Sequence, residues 1–133
     1  MGYLEWDRPP HSLLLCFVSP RCTVCRRLVV FLNQLVETYP KTDMDVVVIG
    51  INGSKEEFEK WKSSLNITLK ITVDVDGISK MRYAVYSLPV IYRISSGGLV
   101  KMIHTGFHPG DDVKFETLFK ERVERVKHLN RSG

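Results

Sequence analysis

Two of the three cysteines in this chain, Cys22 and Cys25, stand three residues apart in the run FVSPRCTVCRRLVVFL, residues 17–32. On a single helical turn that spacing brings two sulfurs within disulfide reach. An apolar run precedes the pair and an amphipathic run follows it, so the first cysteine falls where a strand hands over to a helix. The amino end of a helix offers free backbone N–H groups and the positive end of the peptide dipole, and both favour a thiolate over a thiol. Arg21 and Arg26 add positive charge nearby. The chemistry this suggests is disulfide exchange: Cys22, nearer the helix end, attacks, and Cys25 closes on the resulting mixed disulfide. Two other uses compete. A zinc site needs about four ligands, usually from a second paired motif, and only Cys16 and the scattered His11, His104, His108 and His128 remain to supply them. An inert buried pair is the other alternative, although a strand-to-helix junction is where sites tend to open. A Cys-x-x-Cys in that context points to a redox couple.

The elements that must hold the pair can be read from periodicity. Leu13 to Val18 is a continuous apolar run, suited to a central strand covered on both faces. Leu28, Val29, Leu32, Leu35, Val36 and Tyr39 then recur at helical spacing, with Arg26, Arg27, Asn33, Gln34 and Glu37 expected to face elsewhere, and Pro40 ends the helix. Asp45 to Ile51 reads as a second buried strand. Ser54 and Glu57 form a capping-box pattern ahead of a helix striped by Phe58, Trp61 and Leu65. A loop with a short strand follows, closed by Asp76-Gly77, and Ile78, Met81 and Val85 suggest a short third helix. PVIYRI and LVKMIHTG are expected to pair across an SSGG turn, and Asp111 or Asp112 to cap a last helix carrying Phe115, Leu118, Phe119, Arg122 and Val126 on one side. The Arg122 stem would lie over apolar surface. The order is β-α-β-α-(β)-α-β-β-α. The expected fold is α/β, with a mixed sheet, parallel in its first half and antiparallel in its last hairpin, and helices on both faces.

Bulk properties narrow the class. A chain of 133 residues is one domain by length. With 44% apolar and 26% charged residues it is neither disordered nor a disulfide scaffold. The net charge is +4, but the basic residues of KERVERVKHLNR alternate with acidic ones, so that stretch reads as a solvated helix face and no nucleic-acid partner is expected. No apolar run reaches the ~18 residues of a membrane span. MGYLEWDRPPHS shows no signal-peptide pattern.

With these pieces in place, LLLCFVSPRCTVCRRL, VVVIGINGSKEEFEKW and VDVDGISKMRYAVYSLPVIYRISSGGLVKMIHTG resemble thioredoxin-fold proteins, specifically the TlpA-like branch of the thiol–disulfide oxidoreductases. The resemblance covers nearly all of the chain after residue 12. It implies a thioredoxin-like domain over residues 13–130 and an N-terminal segment, 1–12, cut short relative to the family. In that family the strand after the third helix opens with a cis-proline facing the cysteine pair. The match is YSLPVIY, so Pro89 takes that part and Leu88 supplies the backbone edge on which an extended substrate docks. The resemblance also implies protein thiols and disulfides as substrates, an upstream redox partner, no cofactor or metal, and reduction more than oxidation. It favours an extracytoplasmic protein tethered to the membrane through a segment absent from this sequence; a chain intact as it stands would be cytoplasmic.

The departures are as informative. The residue before the first cysteine is commonly Trp; here it is Arg21, which charges the rim where substrate would bind. Thioredoxin carries a buried Asp six residues before its first cysteine, where this chain has Cys16. TlpA-like relatives often carry a Glu three residues after the second cysteine, where this chain has Leu28. Such a carboxylate would accept the proton of the second thiol as it attacks. Without it, Cys25 in apolar surroundings is expected to be a poorly activated thiol. A redox-inactive binding or chaperone module is therefore the alternative function. Copper handling is a third, and it would need His104 or His108 to reach Cys22. Cys16 could close an alternative disulfide with Cys25, or serve as a small buried apolar residue. The Thr23-Val24 dipeptide between the cysteines would tune the reduction potential.

Overall fold

The computed structural model describes residues 12–74, 76–83 and 87–132. Its elements are β1 (Ser12–Val18), α1 (Thr23–Thr38), β2 (Met44–Gly50), α2 (Lys55–Leu65), β3 (Ile71–Val73), α3 (Ile78–Arg82), β4 (Val90–Ile94), β5 (Val100–Thr105) and α4 (Asp111–Ser132). Val85 and most of the N-terminal segment, His11 included, lie outside the described residues.

The strands form one sheet in the order β3-β2-β1-β4-β5. β1 pairs with β2 in parallel and with β4 antiparallel, β2 with β3 in parallel, and β4 with β5 antiparallel. The helical crossovers after β1 and β2 require the parallel pairings, and the short Ser95–Gly98 turn requires the antiparallel one. That turn is closed by the Gly98 N–H donating to the Ser95 carbonyl at 2.8 Å, with Gly98 at φ 85°.

β1 is central, and every residue in it is buried. Its side chains alternate between two apolar clusters, as a period of two demands. Leu14, Cys16 and Val18 join Leu28, Val29 and Leu32 of α1, Phe58 and Trp61 of α2, and Phe115 and Phe119 of α4. Leu13, Leu15 and Phe17 join Ile49, Ile51, Val90, Tyr92 and Ile94 on the opposite face, with Tyr83 at the end of α3 packed against them. Each fully buried Leu or Phe contributes roughly 1.5–3 kcal/mol, so β1 is the anchor against which the segment carrying the cysteines is held.

The α2 helix starts as its sequence indicated. The Ser54 hydroxyl accepts the Glu57 N–H at 3.1 Å and the Glu57 carboxylate accepts the Ser54 N–H at 3.0 Å. Phe58 lies flat on the backbone of Gly50, where an added Cβ would sit 2.6 Å from the ring. Only glycine permits that approach, and it seats the amino end of α2 beside the end of β2.

Three expectations are corrected. Asn33 does not face outward: it is buried, and its Oδ1 accepts from the Thr68 N–H at 3.0 Å, the Thr68 hydroxyl at 3.2 Å and the Leu69 N–H at 3.1 Å. A side-chain amide can satisfy a chain segment that has no strand partner of its own, which periodicity does not register. Arg122 is expected to contribute only its stem, and its head is engaged: Nε donates to the Asp43 carboxylate at 2.6 Å. Asp111 is the first residue of α4, inside the helix, and its carboxylate turns back to the preceding loop.

Candidate active site

The residues between β1 and α1 leave the sheet at its carboxyl edge. Cys22 is the N-cap of α1, with extended backbone at φ −97° and ψ 109°. Its N–H donates to the Ser19 carbonyl at 3.2 Å, and its sulfur accepts the Cys25 N–H at 3.1 Å. A backbone donor and the positive end of the α1 dipole both face that sulfur. No acidic residue stands in the first turn of α1 to oppose it. Cys22 is half-buried, whereas Cys25 and Cys16 are buried. One sulfur therefore reaches solvent and the other two do not.

Burial pushes the Cys25 thiol well above its ordinary range, and the hydrogen bond and charge interaction with Cys22 add to the rise, while a backbone hydrogen bond from Ser19 opposes it. Among the described residues no carboxylate acts on Cys25. Cys16 and Leu28, at the two positions where acids were looked for, are both fully buried in the same apolar cluster. Burial, then proximity to Cys22, pushes the Cys16 thiol up to about 12. Cys16 thus sits among apolar neighbours beneath α1 and remains a protonated thiol at neutral pH.

The Leu88–Pro89 peptide bond is cis. Phe17 of β1 faces Val90 of β4 in antiparallel register, so the end of β1 leading to the cysteines runs alongside Pro89. Leu88 is half-buried and, like Cys22, packs against the α1-side cluster. Pro89 is buried, and its carbonyl accepts the Gly106 N–H at 2.8 Å. Sequence reasoning missed Gly106. Its φ of 81° lets the chain turn directly after β5, and a Cβ there would lie 2.5 Å from the His108 ring. The Thr-Gly at the end of β5 was the available signal.

The side chain of Arg21 is anchored away from the helix that follows it. Its guanidinium donates to the Asn52 carbonyl and to Glu57 Oε2 at 3.0 Å, tying the segment before Cys22 to the amino end of α2. Glu57 is held below the usual carboxylate range by the Ser54 backbone N–H, with Arg21 adding to the effect against some desolvation. His104 is also engaged: its Nε2 lies 2.8 Å from Asp111 Oδ2, and the same oxygen accepts the His108 N–H at 2.7 Å. Among the described residues no cluster of three or more His, Cys, Asp or Glu side chains could hold a metal ion.

The architecture has close counterparts among solved structures. A thiol:disulfide interchange protein DsbE of Chlorobium tepidum superimposes with a TM-score of 0.78, at 22% identity, over 88% of this chain and 83% of that one. The fold is thioredoxin-like. StoA from Bacillus subtilis shares the fold at a TM-score of 0.72 and 15% identity, over 84% of this chain and 85% of its own. In sequence, the thioredoxin-like domain is 28% identical over 108 residues to the thiol-disulfide oxidoreductase ResA of Geobacillus thermodenitrificans, covering 81% of this chain and 62% of that protein. The ResA of Geobacillus kaustophilus is 27% identical over 119 residues, covering 90% of this chain and 63% of its own length. The chain therefore spans somewhat less than two thirds of the curated relatives it matches. No protein-family model matches it. In fold the chain is similar to DsbE and StoA, and in sequence to proteins named thiol-disulfide oxidoreductase ResA. No described helix is long and apolar enough to cross a membrane.

Proposed function

We propose that this thioredoxin-like domain is a thiol–disulfide oxidoreductase that reduces protein disulfides. The observation that carries the reading is the sulfur of Cys22 held at the amino end of α1 by the Cys25 N–H, half-exposed, with Cys25 one turn behind it. In the proposed cycle the Cys22 thiolate attacks one sulfur of a substrate disulfide and expels the other as a thiolate. Cys25 then gives up its proton and attacks Cys22 Sγ. The Cys22–Cys25 disulfide forms, the second substrate thiolate leaves, and two electrons have passed to the substrate. A dithiol partner must return the domain to its reduced form. Leu88 and Pro89 are assigned to docking of the substrate backbone. Arg21 is assigned to the same rim as a positioning residue, because its side chain is anchored on Asn52 and Glu57.

The reducing direction rests on the TlpA-like resemblance of the sequence, and the equilibrium potential of the Cys22/Cys25 couple tests it. Similarity to ResA, and to a pneumococcal exposed lipoprotein thioredoxin at 23% identity and a TM-score of 0.70, supports an extracytoplasmic, membrane-tethered setting. A second reading, a thioredoxin-like binding module that does not cycle, is favoured by Cys16 and Leu28 standing, buried among apolar neighbours, where the resembling proteins carry acids.

Reduction of insulin by a regenerated dithiol separates the two. Cys22→Ser is expected to lose at least about a thousandfold in rate, as removal of a nucleophile does. Cys25→Ser should leave mixed disulfides visible by mass spectrometry. Full activity in both variants, or a dithiol that never pairs across a series of redox buffers, would exclude the oxidoreductase.

A further inference from the structure

Behind the cysteines, α1 carries an open groove of about 340 Å³ lined by Arg26, Arg27, Val30, Phe31, Gln34 and Leu65. Cys22, Arg26 and Val30 are spaced by four, so they form one strip along the helix. The Arg26 N–H donates to the Cys22 carbonyl at 3.4 Å, which places the groove one turn from the exposed sulfur. Its floor is apolar: Val30, Phe31 and Leu65 are half-buried, and Phe31 packs on Phe107 at 5.5 Å between ring centroids. Its walls are cationic. Arg27 lies 5.7 Å from the Phe107 ring centroid and donates to the Phe107 carbonyl at 3.4 Å, which fixes its place without neutralising it. Arg21 is paired with Glu57, and Arg122 and Arg125 with Asp43, whereas among the described residues neither Arg26 nor Arg27 meets a carboxylate. Guanidiniums beside apolar surface and without a carboxylate of their own complement carboxylates brought by a partner.

We propose that this groove docks a segment of the disulfide-bonded polypeptide substrate in which an apolar side chain is flanked by acidic residues. The assignment deepens the disulfide-exchange reading, which supplies the reason for a docking surface one turn from Cys22. The groove is open, and its volume lies at the lower end of the ~300–1,000 Å³ typical of ligand pockets. That suits side chains of a segment laid across α1 better than an enclosed small molecule. The apolar residue would fill the space over Val30, Phe31 and Leu65, and the carboxylates would meet Arg26 and Arg27.

The test uses two disulfide-bonded peptides that differ only in whether Glu or Lys flanks a leucine near the cysteine. The wild-type chain should reduce the Glu peptide about five- to tenfold faster in kcat/KM at low salt, as expected for two solvent-facing ion pairs. The preference should shrink in 0.5 M salt and fall to near one in Arg26→Gln/Arg27→Gln. Because the readout is a ratio, any effect of Arg26 on the reactivity of Cys22 cancels. Phe31→Ser should weaken both peptides while leaving the Glu/Lys ratio in place. The same peptides with their cysteines replaced by serine, followed by fluorescence anisotropy on the Cys22→Ser/Cys25→Ser chain, report docking without chemistry. A Glu preference there in a chain that reduces nothing would keep the groove and remove the oxidoreductase. A ratio near one in both assays, or one unchanged by the arginine substitutions, would overturn the proposal. So would binding to vesicles of anionic lipid that depends on the two arginines while the peptides show no preference, or dimerisation that covers the groove.

Discussion

At the start of α4 the Asp111 carboxylate turns back to take the His108 N–H at 2.7 Å and meets His104 Nε2 at 2.8 Å. At the start of α1 the acceptor is the Cys22 sulfur, which takes the Cys25 N–H at 3.1 Å. α2 resembles α4, with the Ser54–Glu57 box closed and two acidic residues in its first turn. In α2 the Ser54 hydroxyl answers the Glu57 N–H, and in α4 the Asp111 carboxylate ties the helix start to the preceding loop, so both ends carry acids and serve as joints in the structure. The end of α1 is finished with a larger, weaker acceptor and has no acid in its first turn, so the positive end of its dipole faces the Cys22 sulfur with no carboxylate competing for it.

The contrast can be tested where it should be strongest, at Cys25. Because burial holds that thiol up, its reactive thiolate should be scarce at neutral pH and increase about tenfold per pH unit. Breakdown of a mixed disulfide preformed on Cys22 should therefore accelerate about tenfold per unit from pH 6 to pH 9 without levelling, as followed by single-turnover release of a chromogenic thiol. A plateau near pH 7 would mean that a general base serves Cys25.

Asp111→Ala examines the other end of the comparison. Burial raises that carboxyl, but the His108 N–H and the His104 ring outweigh it and hold the group below the usual aspartate range. A depressed folded-state value contributes stability that is present above the unfolded value of about 4 and is lost as pH falls through the folded one. Replacement should cost about 2 kcal/mol at pH 7 in urea unfolding, as charged hydrogen bonds to a mostly buried acceptor do. The difference from wild type should shrink in the acid range below pH 4, and the Cys22–Cys25 potential should be little changed.

The smallest effect is expected from making α1 resemble its counterparts. Thr23→Asp places a carboxylate in the first turn beside Cys22. Alkylation of Cys22 by iodoacetamide at pH 7 should slow two- to fivefold, the ~0.3–1 kcal/mol scale of a single charge at a helix end. An unchanged rate would show that the end of α1 owes its electrostatic character to something other than the lack of an acid.

Much of this arrangement could be read without coordinates, because its signals are local. The continuous run Leu13–Val18 announced a strand covered on both faces, and both of its faces are covered. The Ser54–Glu57 pattern, the SSGG turn and the three-residue spacing of the cysteines likewise depend on neighbours within one or two turns. Polar pairings across the fold were not legible. Asn33 is a surface residue by its position on the helical wheel and a buried clasp for Thr68 and Leu69 in the structure. Asp43 and Arg122, 79 positions apart, carry no shared local sign. Arg21 stands directly before Cys22 in the sequence, but the partners of its head, Asn52 and Glu57, lie 31 and 36 positions away and left no local sign.

The order of residues by itself determined that a sulfur would stand at the amino end of a helix, with a second sulfur one turn on and no acid between or beside them. That follows from periods of two and 3.6, which are short-range properties of the backbone. Tertiary packing alone decided which sulfur meets solvent, which charges are answered by a partner and which are left over along α1. Those outcomes depend on what the sheet and the neighbouring helices bring against each side chain, and burial of that kind is a property of the assembled core.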